Sequence, residues 1–155
     1  MKAVLNGGVI IGTLDGANVE IDEHVGRDNI FIFGRTAEQV TSMRASGYDP
    51  RRFIAENAEL RRVLDTLGSG GPFGDLFQPL HDILSNGDHY FHCADFAAYM
   101  ETQTRAAEVY TQRDQWTKMS IMNTARSGFF SADRTIAEYA KDIWKAVPLK
   151  ITLGE

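Results

Sequence analysis

Gly8-Val9-Ile10-Ile11-Gly12-Thr13-Leu14-Asp15-Gly16-Ala17-Asn18-Val19-Glu20 is the stretch that decides the class of the fold. Its first six residues form a short apolar, β-branched run bounded by glycine, the pattern of a buried strand. Asp15-Gly16 closes the run as a turn. Ala17 to Val25 then reads as a helix, with Val19, Ile21 and Val25 apolar among Glu20, Asp22 and Glu23. Asn29-Ile30-Phe31-Ile32-Phe33-Gly34 is a second buried strand, again closed by glycine. Strand, helix, strand is α/β.

Outward from this unit the chain turns helical. Thr36 caps a helix that runs to about Ser46, and Gly47 stops it. Asp49-Pro50 is an N-cap followed by proline in the first turn. Phe53, Ile54, Asn57, Leu60, Leu64 and Leu67 keep helical spacing up to Gly68, with room for a break near Asn57. Phe77, Leu80, Ile83 and Leu84 mark a further helix, and Tyr90 to Ala94 reads as a short strand. Asp95 is then expected to cap a helix with Phe96, Tyr99, Gln103, Ala106 and Tyr110 on one face. Asp114 is expected to cap the next, with Trp116, Met119, Met122 and Ala125 inward. Ser131 caps the last, where Ile136, Tyr139, Ala140, Ile143 and Trp144 form an apolar stripe. A parallel sheet normally has several strands with both faces covered, so two short strands ahead of so much helix read as the tail end of a larger fold.

The 155 residues are 43% hydrophobic and 24% charged, and they include nine Phe, five Tyr and two Trp, which excludes a disordered composition. The net charge of −5 and the lack of a Lys/Arg cluster argue against nucleic acid as a partner. No apolar run approaches the roughly 20 residues needed to span a bilayer. Met1-Lys2-Ala3-Val4-Leu5 starts like a signal peptide, but Asn6-Gly7-Gly8 cuts the apolar segment short. The single cysteine, Cys93, fits a reducing cytosol, so the expected location is cytoplasmic.

Local chemistry alone is sparse. Lys2 beside the initiator methionine reads as a solvated charge, because a lysine that forms an imine needs a desolvating pocket and phosphate donors. His89-x-x-His92-Cys93 has metal-ligand residue types but no second ligand pair, so no metal is expected. The glycine-rich loop at 68–74 sits between helices and lacks the lysine of a phosphate-binding loop, and reads as a connection. Asp15 and Glu20 are explained by a turn and a helix face, and no Gly-x-Ser-x-Gly elbow supports a triad.

Taken in order, however, the strings resemble one family. Met1-Lys2-Ala3-Val4-Leu5-Asn6-Gly7 is similar to the end of the cofactor-attachment signature of α-1,4-glucan phosphorylases of the glycogen and maltodextrin type. Ile11 to Glu20 resembles that family's Gly-Thr-Met/Leu-Asp-Gly-Ala-Asn-Val-Glu block, and Asn29 to Gly34 its Asn-x-Phe-x-Phe-Gly strand. Ala94-Asp95-Phe96 with Tyr99, Gln103, Tyr110 and Trp116 follows in register. Asn123 to Ile136 and Tyr139 to Trp144 are similar to the closing segment.

The resemblance implies the C-terminal part of the second Rossmann-like domain of a two-domain glycosyltransferase of the GT-B type, mostly helical after two short strands. Residues 1–146 would be an incomplete part of the catalytic domain and 147–155 a tail. It implies that Lys2 holds the aldehyde of pyridoxal 5′-phosphate, and no other catalytic residue is carried over. The enzyme would release glucose 1-phosphate from α-1,4-glucan ends with orthophosphate, as a homodimer. The Glu-Ala-Ser/Cys-Gly stretch that precedes the lysine in the family is not in this sequence, so the expectation is a fragment, inactive by itself. His92 and Cys93 stand where the family has apolar residues. Two other readings remain: a non-catalytic domain that docks on other phosphorylase chains, and a pyridoxal phosphate enzyme acting on amino acids. The second lacks the complete fold that such an enzyme needs around its cofactor.

Overall fold

A computed structural model of the chain describes residues 1–147 and Leu149; most of the expected 147–155 tail lies outside the described residues. A single-turn helix, α1 (Lys2–Leu5), precedes strand β1 (Ile11–Thr13), helix α2 (Ala17–Val25), a 3-10 turn (Arg27–Asn29) and strand β2 (Phe31–Phe33). Helices α3 (Ala37–Ala45), α4 (Pro50–Glu56) and α5 (Ala58–Leu67) follow. After a second 3-10 turn (Gly74–Phe77) come α6 (Gln78–Asn86), α7 (His92–Thr111) and α8 (Arg113–Arg126). A third 3-10 turn (Ser127–Phe130) leads into α9 (Ala132–Glu138), which ends in a π-helical turn over Tyr139–Trp144.

The two strands pair in parallel, Ile11 opposite Phe31 and Thr13 opposite Phe33. Side-chain alternation along them divides the core. Ile10, Ile30 and Ile32 pack with Val4, Ile21, Val25 and Phe130, so α1 and α2 cover one face. Val9, Ile11 and Phe31 pack with Ala106, Val109, Trp116 and Met119, so α7 and α8 cover the other. Both faces are buried, which is why both strands read as continuous apolar runs. A third cluster, Leu60, Leu64 and Cys93 with Phe53, Ile54, Leu67, Leu84 and Phe96, joins α4, α5 and α6 to the start of α7.

Capping chemistry sets several boundaries where the sequence places them. Thr36 and Gln39 form a capping box at α3, each side chain bonded to the other's backbone N–H. Asp49 accepts from the Arg51 N–H at the start of α4. Asn57 divides the long pattern by ending α4 and then accepting from the Leu60 N–H to cap α5.

Other expectations are corrected. Residues 90–94 are not a strand, because α7 begins at His92. The cap is Asp88, fully buried, whose carboxylate accepts from the backbone N–H of His92 at 2.9 Å and of Cys93 at 2.8 Å, and from the Tyr48 hydroxyl. Phe91 takes a left-handed conformation with φ of 62° to make that approach. Asp95 is therefore inside the helix, and its carboxylate instead accepts from the Arg35 backbone N–H and from the Arg35 guanidinium at 2.7 Å. Gly34, with φ of +78°, turns the chain out of β2 so closely that an added Cβ would lie 2.6 Å from Asp95 Oδ2. Rotating the start of α7 changes its inward face to Cys93, Ala94, Asp95, Thr102 and Ala106, leaving Tyr99 and Tyr110 exposed. On α8, Asn123 is buried and Ala125 exposed, and neither Asp114 nor Ser131 makes a side-chain capping bond. Ile136, Tyr139, Ile143 and Trp144 form the apolar stripe of the last helix and are exposed, Ile143 by 63%, without a covering partner among the described residues.

Replacing Asp88 with alanine strips two N–H groups and a half-buried tyrosine of their acceptor. The expected destabilisation is about 2–4 kcal/mol in chemical denaturation, from a lost cap plus unsatisfied buried donors. Tyr48→Phe, which removes one of the three bonds, should cost about 1 kcal/mol. A loss below that for Asp88→Ala would show that α7 starts without this carboxylate.

Candidate functional site

Lys2 lies exposed on α1, a helix of four residues that cannot persist alone. What fixes it is packing. Val4 on its inner side is completely buried against the 10–30 core. The Lys2 carbonyl accepts from the Asn6 side-chain amide at 2.8 Å, and the Gly8 N–H donates to the Ala3 carbonyl at 2.7 Å. Gly7 then meets α8, where Ser120 Oγ donates to its carbonyl at 2.9 Å. With φ of +79° and Ser120 Oγ only 2.5 Å from where a Cβ would stand, this position requires glycine. The spacing Lys-x-x-x-Asn-Gly thus has a physical account: asparagine closes the turn that carries the lysine, and glycine lets it dock.

Among the described residues the Lys2 amine is in no ion pair. The pinned backbone fixes where the amine stands, while the desolvating pocket that an imine-forming lysine needs is not supplied by α1. A cofactor phosphate is a different matter. A helix of one turn offers almost no dipole, so α1 itself does not make a phosphate cradle. The residues present fit the aldehyde end of a pyridoxal group and leave its phosphate to other parts of a protein.

The second feature is a cleft of about 670 Å³ beyond the carboxyl ends of β1 and β2. In open α/β sheets this is where ligands are held. Thr13, Asp15 and Asn18 form one side, Phe33, Arg35 and Arg44 the next, and residues from His89 to Tyr99 the third. Asn18 is oriented by donating to the Thr13 carbonyl at 2.9 Å. Arg35 is held by Asp95, and Arg44 lies over the Phe91 ring, 5.3 Å from its centroid, with a long bond to the His89 carbonyl. Lys2 is not part of this cleft: α1 packs on α8 and on the 127–130 turn.

The remaining sequence candidates disperse. Asp15 stands at the cleft and Glu20 is exposed on α2, so the two do not act as a pair. His89 and His92 are exposed while Cys93 faces the 60–96 core, and no group of residues fit to hold a metal occurs among the described residues. The 68–74 loop connects α5 to α6, as expected. No helix among the described residues is long and apolar enough to cross a membrane.

One constellation escaped the sequence. On α6, Ser85 Oγ lies 3.4 Å from His81 Nε2, and His81 Nδ1 lies 3.1 Å from Asp82 Oδ1. The order is that of a hydrolase triad, and a one-helix spacing of i, i+1 and i+4 carries no known signature. Gln78 Nε2, at 2.7 Å, competes for the same carboxylate oxygen, and the Ser–His contact is long. His81 and then Gln78 hold the Asp82 carboxyl below its ordinary value by hydrogen bonding. This is a helix-surface network.

Cys93 is chemically muted. Burial first, then the neighbouring Asp88 charge, push its thiol up to about 12 from the ordinary 9.0. Tyr48 is likewise raised above its usual range, by burial first and then by its bond to Asp88. Both folded values exceed the unfolded ones, so the fold favours the neutral forms. That contribution is complete below pH 9 and is lost as pH climbs from about 9 through 12. We expect stability to fall steeply over that alkaline window, followed by denaturant midpoints against pH, and the fall to shrink in Cys93→Ser. The native thiol should react with a disulfide reagent much more slowly than the denatured one; equal rates would contradict its burial.

With this geometry in place, comparison with known proteins is direct. The sequence profile of the family described as carbohydrate phosphorylase matches residues 1–146. Glycogen phosphorylase of Synechocystis sp. is 47% identical over 158 aligned residues, covering 100% of this chain and 19% of its own length. Glycogen phosphorylase of Haemophilus influenzae is 48% identical, over 97% of this chain and 19% of its own length. The muscle form of glycogen phosphorylase from Bos taurus is 42% identical, over 97% and 18% respectively. The chain spans about a fifth of the length of the curated relatives it matches. It belongs to the carbohydrate phosphorylase family.

Proposed function

We propose that this chain is the C-terminal part of the catalytic domain of an α-1,4-glucan phosphorylase, with Lys2 as the attachment point for pyridoxal 5′-phosphate. In this reading residues 1–146 belong to the second Rossmann-like domain of a GT-B glycosyltransferase. The whole enzyme, a cytoplasmic homodimer, would use orthophosphate to release glucose 1-phosphate from α-1,4-glucan ends. The observation that carries the reading is the coincidence of the family match over 1–146 with Lys2 on a backbone pinned by Asn6, Gly7 and Ser120.

Each residue has a defined task. Lys2 tethers the cofactor aldehyde, and the tether is only as well placed as α1. Val4 buries the inner side of that turn, Asn6 fixes the Lys2 carbonyl, and Gly7 brings the turn against α8. When bound, the cofactor supplies a phosphate group with a second pKa near about 6, able to share a proton with a substrate phosphate. Positioning of this kind is sensitive to displacements of about 1 Å, which gives the glycine-to-serine contact between α1 and α8 its functional weight.

Borohydride reduction of the full-length cofactor-loaded enzyme, followed by peptide mapping, should place the pyridoxyl group on Lys2. A label on another lysine would reject the assignment.

The alternative, a non-catalytic domain that docks on phosphorylase chains, shares one observation with the leading reading: the exposed stripe of Ile136, Tyr139, Ile143 and Trp144. Each such side chain gains about 1.5–3 kcal/mol when buried. The isolated 155-residue chain should therefore self-associate in light scattering, retain no pyridoxal phosphate after dialysis, and release no glucose 1-phosphate from maltodextrin. A monodisperse monomer that binds full-length phosphorylase would favour the docking domain. Bound cofactor with sugar phosphate release would overturn the need for the rest of the protein.

A further inference from the structure

A backbone nitrogen next to an aspartate or asparagine side chain is a reactive pair, and a glycine at the nitrogen removes the side chain that would hinder approach. The chain holds this pair at Asn6-Gly7, Asp15-Gly16 and Asn86-Gly87. We propose that Asp15-Gly16 is a modification site, at which Asp15 isomerises spontaneously to isoaspartate, while the fold protects the two Asn-Gly pairs. The inference stands apart from any role of Lys2.

The reaction needs neither an enzyme nor an oxidant. The Gly16 nitrogen attacks Cγ of the protonated Asp15 carboxyl, an N–Cγ bond forms, and the carboxyl hydroxyl leaves with the amide proton as water. The product is a succinimide ring. Water then opens the ring at one of its two carbonyls. Breaking the N–Cγ bond restores aspartate. Breaking the bond from the nitrogen to the Asp15 carbonyl carbon leaves isoaspartate, whose main chain runs through Cβ and Cγ and whose α-carboxylate becomes the side group.

Attack requires a nitrogen free of hydrogen bonding and a side chain free to swing, so local structure sets the rate. Asn6-Gly7 has neither. The Gly7 N–H donates to the Val4 carbonyl at 3.0 Å, the Asn6 amide donates to the Lys2 carbonyl at 2.8 Å, and Ser120 holds the Gly7 carbonyl. Asn86-Gly87 is restrained in the same way at the end of α6. There the Gly87 N–H donates to the Ile83 carbonyl at 2.9 Å and the Asn86 amide to the Asp82 carbonyl at 3.2 Å.

Asp15-Gly16 is different. Among the described residues the Asp15 carboxylate is in no ion pair and caps no N–H of α2, and the Gly16 N–H donates to no backbone carbonyl. Both residues are exposed, and a Cβ placed on Gly16 would meet nothing within 4 Å. The bonds that hold this turn act on its carbonyls instead. The Asp15 carbonyl accepts from the Asn18 N–H at 3.0 Å and the Gly16 carbonyl from the Val19 N–H at 3.3 Å. The reacting nitrogen and carboxyl are thus left open by the contacts that shape the loop.

The change falls where β1 passes into α2. An extra main-chain methylene there displaces Asn18, whose side chain closes the turn on the Thr13 carbonyl, and adds a carboxylate at the rim of the strand-end cleft. That stray α-carboxylate is what a carboxyl methyltransferase specific for isoaspartate recognises, and such an enzyme is the class of partner that the modified chain takes.

To test this, the 155-residue chain is aged at neutral pH, native and in guanidinium, and mapped by mass spectrometry. The probe is an isoaspartate-specific carboxyl methyltransferase with a labelled methyl donor. Label at residue 15 should accumulate at the same rate in both samples. Asn6 and Asn86, which lose ammonia when they react, should do so at least about tenfold more slowly in the native chain, because each must first open its helix-end bond. Asp15→Asn places the same dipeptide at all three positions. In that native variant, position 15 should lose ammonia at least about tenfold faster than positions 6 and 86. Protection of residue 15 in the native chain, in the wild type or in Asp15→Asn, would overturn the site. So would equal rates at the three positions of the native variant, since the fold would then make no distinction among them.

Discussion

One polar face of α8 holds the fold in register. Ser120 donates to the carbonyl of Gly7, Asn123 to that of Asn29 at 2.7 Å, and Arg126 to that of Val25 at 2.9 Å. These positions recur at i, i+3 and i+6, so they lie along one side of the helix. The three carbonyls belong to the turn after α1, the turn before β2 and the end of α2. A buried carbonyl without a partner costs about 1–3 kcal/mol. A single helix therefore ties three carbonyls of the β-α-β unit, the one at Val25 shared with the Asn29 side chain. Asn123 is completely buried at the centre of this row and also donates to the Met119 carbonyl, which locks its rotamer. The Asn123-to-Ser127 string of the sequence has its physical reason here, as hydrogen-bond donors at fixed helical spacing. Lys2 depends on it at one remove, through Gly7.

A second carboxylate-centred knot does for the helical half what α8 does for the α/β half. Asp88 sets where α7 begins, and through Tyr48 it ties the 48–53 segment to that start. Because α7 crosses both halves, its phase decides which residues meet the sheet and which line the cleft. Ala106 goes to Phe31, Cys93 to Leu60 and Leu64, and Asp95 to Arg35. The cleft is thus a by-product of a cap four residues upstream of the helix it opens onto.

The sequence made legible whatever is decided by neighbours in the chain. The two glycine-bounded strands, the Thr36 cap, the Asp49-Pro50 start and the division at Asn57 are all local signals, and all four appear in the structure. The start of α7 was misplaced because its cap acts across residues in left-handed conformations, Asp88 and Phe91, a geometry with no sequence signature. Once the start moved, Asp95 changed from cap to ion-pair partner and the inward face rotated. For the site, Lys2 had nothing local to recommend it and was marked only by family resemblance. The cleft was invisible because its walls come from residues 11–18, 33–44 and 89–99, brought together by tertiary packing alone.

Exposed aromatic side chains at the cleft and along the last helix stand in different surroundings. At the cleft, Arg35 is paired with Asp95 and Arg44 reaches the His89 carbonyl, so the exposed rings there stand among polar side chains. Along the last helix, Ile136 on α9 and Tyr139, Ile143 and Trp144 on the π-helical turn are exposed. A surface of that composition gains most from being covered by another apolar face. The strands lead to the same conclusion. Two strands of three residues each bury too little to hold a sheet unaided, and a parallel pair is weaker per residue than an antiparallel one. Here the pair persists because polar side chains of α8 clamp its loops rather than because its own core is large. The clamps of α8 hold the α/β half in register, and the apolar stripe of the last helix stays open in this chain.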